Sequence, residues 1–163
     1  MTQSRLSVQE VCSVALCTAV MVIMAQISIP MPLGVPMTMQ TFAVTLAAVV
    51  LGAKKGALAA LVYILLGAAG LPVLAGFTGG IQYFAGPTGG FLISFPVMAF
   101  IIGLGVDRFK HVKGGFVLCL IGGTAVNYLI GVVMFCILMD SSVMTAVSAC
   151  VLPFIPTAVI KAV

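Results

Sequence analysis

The stretch that organises this chain is LPVLAGFTGGIQYFAGPTGG, residues 71–90, which lies between two strongly apolar segments. It contains six glycines, two prolines and no charged residue. Gly-Gly and Gly-Pro pairs interrupt helices and strands alike, so the stretch is predicted to be a loop. Solvated loops are usually polar, yet this loop carries large apolar side chains such as Phe77, Ile81 and Phe84.

The polar side chains of the 71–90 loop are few, and none of them is charged. They are Thr78, Gln82, Tyr83 and Thr88. Aromatic residues, glycines and a small number of uncharged hydrogen-bonding groups are typical of the lining of a small-molecule site. The alternative is a tight apolar turn at a membrane surface, and the loop residues alone leave both interpretations open.

The composition of the whole chain points to a lipid environment. Of its 163 residues, 63% are hydrophobic and only 6% are charged, and the mean hydropathy is +1.34. Soluble domains carry about 25% charged residues, so residues 1–163 are predicted to form a single membrane domain. The formal net charge of +4 comes from a few cations in short breaks between apolar runs, which is a topology signal rather than a nucleic-acid-binding patch.

Several classes of site are not supported by the residues. The five cysteines lie at positions 12, 17, 119, 136 and 150, and His111 is the single histidine. Their spacing predicts reduced, apolar cysteines and no metal site. The 71–90 loop has no lysine, which excludes a P-loop. No acid–base pair can be assembled around Asp107, His111 or Asp140, so neither an enzyme nor a bound cofactor is expected.

Six apolar runs predict an all-α integral membrane protein with six transmembrane helices. The runs are Val11–Ile29, 38–51, Ala57–Gly70, Phe91–Val106, Phe116–Met139 and Val143–Val163. They are continuously apolar rather than alternating, which favours helices over a β-barrel. The last run is interrupted by Pro153 and Pro156, and the residues after Pro156 are too few to cross a bilayer core of about 30 Å. The sixth helix is therefore expected to be truncated.

The distribution of lysine and arginine predicts the orientation of the chain. Six of these residues are at the N-terminus and in the second and fourth connections: Arg5, Lys54, Lys55, Arg108, Lys110 and Lys113. The first and third connections, which are rich in proline and glycine, have none. The positive-inside rule then predicts a multi-pass protein of the cell membrane with a cytoplasmic N-terminus and external Gly/Pro-rich loops. The first five runs have no ionisable residue at mid-membrane depth, where an ion channel or proton-coupled carrier would usually have one, so the protein is predicted to lack an energy source of its own.

Some small and polar residues within or near the runs carry further predictions. Ala15 and Ala19 lie one helical turn apart and would let another helix approach closely. Gln26 and Asn127 are interpreted as interhelical hydrogen-bonding groups, and Gln40 follows the outer Pro-rich connection and could face a pocket. The segment GAKKG, residues 52–56, is interpreted as a turn.

An ordered set of sequence blocks resembles the BioY family, the biotin-specific S components of energy-coupling-factor transporters. The blocks are IPMPLGVPMTMQT (29–41), GAKKGALA (52–59), GLPVLAGFTGG (70–80), GPTGGFLISF (86–95) and PFIP (153–156). The resemblance implies six helices and external loops that cap a biotin pocket. It also implies that Ala15 and Ala19 dock a transmembrane T component driven by two ATPase subunits, and that Thr78 is a polar residue near the ligand.

The C-terminal block departs from the family pattern. The family's last helix starts with a motif like PFxPGDxxK, whereas residues 153–161 read PFIPTAVIK. Ala158 stands where the acid is expected, and Lys161 keeps the lysine. Without that acid, Lys161 would have spare donors for the carboxylate or ureido oxygen of biotin. The alternative is a lysine that reaches to the outer lipid headgroups.

These observations predict a membrane subunit that captures biotin outside the cell and delivers it with an ATP-driven module. The predicted ligand-binding residues are Gln40, Thr78, Gly79, Gly80, Gln82, Tyr83 and Lys161. Gly79 and Gly80 would provide backbone dihedrals closed to other residues and let the loop approach the ligand. The alternatives are an S component for a different small vitamin and a membrane scaffold without a transport role. The sequence also leaves open whether the protein forms a homo-oligomer.

Overall fold

A computed structural model describes residues 7–30, 35–108, 115–140 and 144 of the chain. Within these residues it contains four helices, which are α1 (Val8–Gln26), α2 (Gln40–Ala68), α3 (Gly89–Arg108) and α4 (Gly115–Met139). Two short strands, β1 (Ser28–Ile29) and β2 (Met37–Thr38), pair antiparallel between α1 and α2. A 3-10 helix, Ile81–Tyr83, lies in the loop that precedes α3. The predicted sixth helix falls outside the described residues.

By length and composition alone, the four helices are candidate membrane spans. Many of the large apolar side chains on α1 and α4 are exposed, including Leu16, Ile23, Leu118 and Ile137. In water these surfaces would be unfavourable, but they match the hydrocarbon core of a bilayer. The all-helical prediction is confirmed for the described residues, while the number of six spans stays a prediction.

Helix α1 begins three residues before the predicted start of its apolar run, because a capping box fixes its first turn. The Ser7 hydroxyl accepts a hydrogen bond from the Glu10 backbone N–H at 3.3 Å, and the Glu10 carboxylate accepts one from the Ser7 N–H at 2.9 Å. These bonds satisfy backbone donors that a helix otherwise leaves unpaired. The helix ends at Gln26 rather than Ile29, because Ser28 and Ile29 pair with β2.

Helix α2 is folded back on itself at Gly52. The Gln40 and Tyr63 side chains are hydrogen-bonded at 2.6 Å although they are 23 residues apart. In a continuous helix they would be separated by about 34 Å along the axis. A Cβ built on Gly56 would lie 2.8 Å from the Ala48 Cα, and these residues would be about 12 Å apart in a straight helix. The segments 40–51 and 53–68 are therefore two antiparallel arms joined at one residue.

Gly52 makes this reversal with a backbone that only glycine adopts readily, at φ 77° and ψ −178°. The second arm is capped by Asp107 at the end of α3, whose carboxylate accepts a hydrogen bond from the Ala53 N–H at 2.9 Å. The prediction of a five-residue turn over 52–56 is wrong, since the break is confined to Gly52. Gly56 is helical, and it allows the two arms to touch backbone to backbone.

The remaining helices pack against the α2 hairpin and against each other. Residue contacts place Gly103 of α3 against the start of the second arm, and Gly123 of α4 against Ile102 of α3. Asn127 of α4 is fully buried and donates to the Ser94 hydroxyl at 2.7 Å and to the Phe91 carbonyl at 3.2 Å. The prediction of an interhelical hydrogen bond at Asn127 is confirmed.

The described charged residues other than Asp140 lie at one end of this bundle. Glu10 forms an ion pair with Lys55 at 2.8 Å, and Asp107 caps the arm that carries Lys54 and Lys55. Arg108 follows Asp107 directly. All lysine and arginine residues of the described part therefore lie near the Gly52 hinge, and the 71–90 loop lies at the opposite end.

Candidate functional site

A cavity of about 400 Å³ lies at the end of the bundle away from the Gly52 hinge. Its wall is built from β2 and the segment before it, the start of α2, the 71–90 loop, the first turns of α3, and α4. The polar residues of the wall, apart from its tyrosines, are Thr38, Gln40, Thr41, Thr78, Gln82 and Thr88. The described lining includes no charged residue. The volume falls within the range of about 300–1,000 Å³ that is typical of small-molecule sites.

Four aromatic side chains give the cavity its apolar surface: Tyr83, Phe91, Phe95 and Tyr128. The rings of Phe91 and Tyr128 meet edge to face, with centroids 6.4 Å apart and an interplanar angle of 73°. Phe91 fits against α4 because Gly131 faces it, and a Cβ there would overlap the ring. Aromatic edges and faces of this kind suit a flat, mostly apolar ligand.

Gln40 is the most buried polar group of the cavity wall, and it belongs to a chain of hydrogen bonds. Its amide nitrogen donates to the Tyr63 hydroxyl at 2.6 Å, and the Tyr63 hydroxyl donates to the Val73 carbonyl at 3.1 Å. Its amide oxygen accepts from the Thr38 hydroxyl at 2.8 Å. These bonds connect β2, both arms of α2 and the 71–90 loop. One Gln40 amide proton has no acceptor among the described residues.

Thr78 also lines the cavity, at the start of the Thr-Gly-Gly segment. Its hydroxyl donates to the Ala75 carbonyl at 2.9 Å. Since that bond uses its proton, the Thr78 oxygen can offer a ligand only an acceptor. Gln82 and Tyr83 follow in the 3-10 helix and line the same cavity. The structure thus brings four of the predicted binding residues to one wall, with Gln40 supplied from a different element.

Gly79 and Gly80 are not among the residues that line the cavity. A Cβ at Gly79 would overlap the Leu71 carbonyl, so this glycine allows two backbone segments of the loop to cross closely. Gly80 has φ +117° and donates its N–H to the Gly67 carbonyl at 2.8 Å. Both glycines shape the loop against α2. Lys161, the remaining predicted ligand-binding residue, lies outside the described residues.

Gln26 joins α1 to the 71–90 loop, a role that its position near the end of an apolar run does not reveal. Its amide nitrogen donates to the Leu74 carbonyl at 3.1 Å, and its amide oxygen accepts from the Phe77 N–H at 2.8 Å. The partners are backbone atoms about 50 residues further along the chain. No local sequence pattern identifies such a contact.

Ala15 and Ala19 lie on the exposed face of α1. On an adjacent face, Thr18 is buried, and its hydroxyl lies 3.2 Å from the Ala59 carbonyl of α2. The small residues are therefore on the surface that α1 leaves uncovered within the described structure. That position is compatible with the close approach of another helix.

Comparison with known sequences places these features in a family context. The model of the BioY family matches residues 1–163. The "Probable biotin transporter BioY" of Pyrococcus horikoshii is 46% identical over 123 residues, covering 76% of this chain and 72% of that protein. The "Biotin transporter BioY" of Thermotoga maritima is 47% identical over 115 residues, covering 71% and 67% of the two chains.

A solved structure has the same arrangement of elements. It is described as the S component for biotin from an ECF-type ABC transporter, and it superposes with a TM-score of 0.87. The similarity covers 99% of this chain and 88% of that one, at 28% sequence identity. The superposition of the two structures therefore includes almost the whole of this chain, the folded-back α2 among it.

Proposed function

The chain belongs to the BioY family, and on that premise we propose that it is the biotin-binding S component of an energy-coupling-factor transporter. It is a transport protein rather than an enzyme. The observation that carries the proposal is the aromatic-walled cavity of about 400 Å³, with an uncharged described lining, at the end of the bundle opposite the Lys/Arg-rich end. Biotin is largely apolar, so burial in such a cavity is favourable.

The polar groups of biotin match the polar groups that line the cavity. The ureido ring presents N–H donors and one carbonyl acceptor. The Thr78 oxygen can accept from a ureido N–H, and the remaining Gln40 proton can donate to the ureido carbonyl. Gln82 and Tyr83 supply further hydrogen-bonding groups at the same wall. We assign to Gly79 and Gly80 the role of holding this loop in place rather than that of touching biotin.

The carboxylate of biotin needs a different partner, because the described cavity lining is uncharged. We assign this role to Lys161 on the basis of the family motif at residues 153–161. The expected result is that Lys161→Met weakens binding of biotin by about tenfold, but leaves the affinity for the uncharged biotin amide within about threefold. If parent and variant bind biotin with equal affinity, Lys161 does not bind the carboxylate, and the alternative of a lysine that reaches the lipid headgroups is favoured.

The central test is equilibrium binding of labelled biotin to the purified chain. The parent should bind, and Thr78→Val should bind with a loss on the order of 1 kcal/mol, because one hydrogen bond to the ligand is removed. Thr124→Val is the matched control, since the Thr124 hydroxyl donates to the Leu120 carbonyl within α4 and does not line the cavity. No biotin binding by the parent would contradict the function and favour a scaffold or another vitamin.

The S component acts with partners, and α1 is the proposed site of contact. Ala15 and Ala19 would dock the T component, which is energised by two ATPase subunits. The orientation follows from charge: Lys54, Lys55 and Arg108 lie at the hinge end, which the positive-inside rule assigns to the cytoplasm. The N-terminus is then cytoplasmic, and the cavity opens toward the outside of the cell.

A further inference from the structure

Gln26, the last residue of α1, is hydrogen-bonded to the 71–90 loop. Both of its amide protons and its amide oxygen bind backbone groups: Nε2 donates to the Val22 and Leu74 carbonyls, each at 3.1 Å, and Oε1 accepts from the Phe77 N–H at 2.8 Å. The bond to Val22, within the same helix, orients the side chain. The other two bonds hold a turn formed by residues 74–78.

The 74–78 turn contains two consecutive residues in the left-handed region, Gly76 at φ +69° and Phe77 at φ +55°. Glycine adopts this region readily, but a bulky residue such as phenylalanine seldom does. The Phe77 side chain is 72% exposed, so packing of its ring does not impose the conformation. The contact made by the Phe77 backbone itself is the hydrogen bond to Gln26.

The same turn contributes three residues to the cavity wall: Leu74, Ala75 and Thr78. Leu74 is buried against Gly67 of α2, and its N–H donates to the Thr78 carbonyl at 2.9 Å. Gln26 does not line the cavity itself. It contacts the turn through the Leu74 carbonyl and the Phe77 N–H, so it can affect a ligand only through the shape of that turn.

We propose that Gln26 is a positioning residue for the ligand: it holds Phe77 in the left-handed conformation and thereby sets the wall that Leu74, Ala75 and Thr78 present to the cavity. Without the Gln26 bonds, Phe77 would relax toward ordinary dihedrals and the turn would open. This inference rests on the proposed binding of biotin. It makes α1, the helix that carries Ala15 and Ala19, also the support of the ligand wall.

The test is a rescue experiment with labelled biotin and the full chain in detergent. Gln26→Leu should raise the dissociation constant about tenfold, since the turn loses two hydrogen bonds. Phe77→Gly alone should bind biotin with a dissociation constant within about twofold of that of the parent, because glycine adopts positive φ without support. The double variant, Gln26→Leu with Phe77→Gly, should have a dissociation constant within about threefold of that of the parent. A residue that only joined α1 to the loop would give additive losses with no recovery.

Controls separate this inference from the proposed function and from loss of folding. Gln9→Leu makes the same replacement at an exposed position at the opposite end of α1 and should bind biotin like the parent. If Gln26→Leu does not fold, Phe77→Val in the intact background should bind about tenfold more weakly than Phe77→Gly, since a β-branched residue resists positive φ. Three results would overturn the inference. Gln26→Leu could bind biotin as tightly as the parent, the double variant could fail to recover affinity, or Phe77→Val and Phe77→Gly could bind biotin equally well. A parent that binds no biotin overturns the proposed function, and the inference with it.

Discussion

At the scale of single residues, Gly52 decides how the middle of the chain is arranged. One backbone position reverses an apolar helix, so that Gln40 meets Tyr63 and Gly56 meets Ala48. Two separate restraints exclude a side chain there. The dihedral φ of 77° is unfavourable for other residues, and a Cβ would lie 2.5 Å from the Asp107 carboxylate that caps the second arm.

Gly52→Ala should therefore lower the free energy of unfolding by about 2 kcal/mol or more, from backbone strain together with a displaced cap. Gly122→Ala is the control, because Gly122 lies within α4 and no described atom falls within 4 Å of its added Cβ. That variant should be neutral or more stable by up to about 1 kcal/mol. The measurement is the thermal midpoint of each purified protein in the same detergent, and equal midpoints for the two variants would refute the argument about Gly52.

At the scale of elements, α1 combines contacts to α2 and to the 71–90 loop with one uncovered face. Its exposed face carries Ala15 and Ala19, its buried face brings Thr18 to the second arm of α2, and its last residue holds the loop. Glu10 adds an ion pair to Lys55 at the other end. The helix is thus attached to α2 along its length while one face stays uncovered.

If this uncovered face docks the T component, Ala15→Trp or Ala19→Trp should reduce co-purification with that subunit at least tenfold, because added bulk prevents close helix approach. Biotin binding by the solitary protein should persist, since neither alanine lines the cavity. Ala125→Trp places the same bulk on an exposed position of α4 and should co-purify normally. If both α1 variants co-purify with the T component as well as the parent does, the docking surface does not include Ala15 and Ala19.

The helices were predictable because apolar runs between Gly/Pro breaks are visible in sequence, and α4 begins within one residue of the predicted span and ends with it. The capping box at Ser7 and Glu10 was not predicted, although it has the S-x-x-E pattern, and the helix starts three residues earlier than expected. The one-residue hinge at Gly52 was not, since two lysines suggested a longer turn. The aromatic wall was missed because Phe91, Phe95 and Tyr128 lie in apolar runs, where sequence does not distinguish a cavity-facing ring from a lipid-facing one. The interhelical hydrogen bond predicted for Gln26 was wrong, because its partners outside α1 are backbone atoms of the distant 71–90 loop.

At the scale of the whole molecule, the described structure is polarised along the helix axes. The cavity lies at one end, and the described lysine and arginine residues lie at the other. The proposed orientation puts the 3-10 helix of the 71–90 loop outside and the Gly52 hinge inside. Ile81 and Lys54 are exposed positions at these two ends.

Single cysteines introduced at Ile81 and Lys54, in a background without the native cysteines, test the orientation. An impermeant thiol reagent should label Ile81→Cys on intact cells, and should label Lys54→Cys only after the membrane is permeabilised. The reverse labelling pattern would mean that the orientation is inverted and that the cavity faces the cytoplasm. Biotin binding by each variant serves as the check that the fold is retained.

The folded-back α2 also bears on how the chain enters the membrane during synthesis. At about 1.5 Å per residue, its arms 40–51 and 53–68 are only about 18 and 24 Å long, whereas a bilayer core is about 30 Å thick. Neither arm has the length of an ordinary insertion signal, and Lys54 and Lys55 lie between them. We therefore expect the two arms to leave the translocation machinery for lipid together, as one hairpin. A chain released after the first arm alone would lack the second arm, whose Gly56 packs against Ala47 and Ala48. We therefore expect stable insertion only after residue 68 has been made.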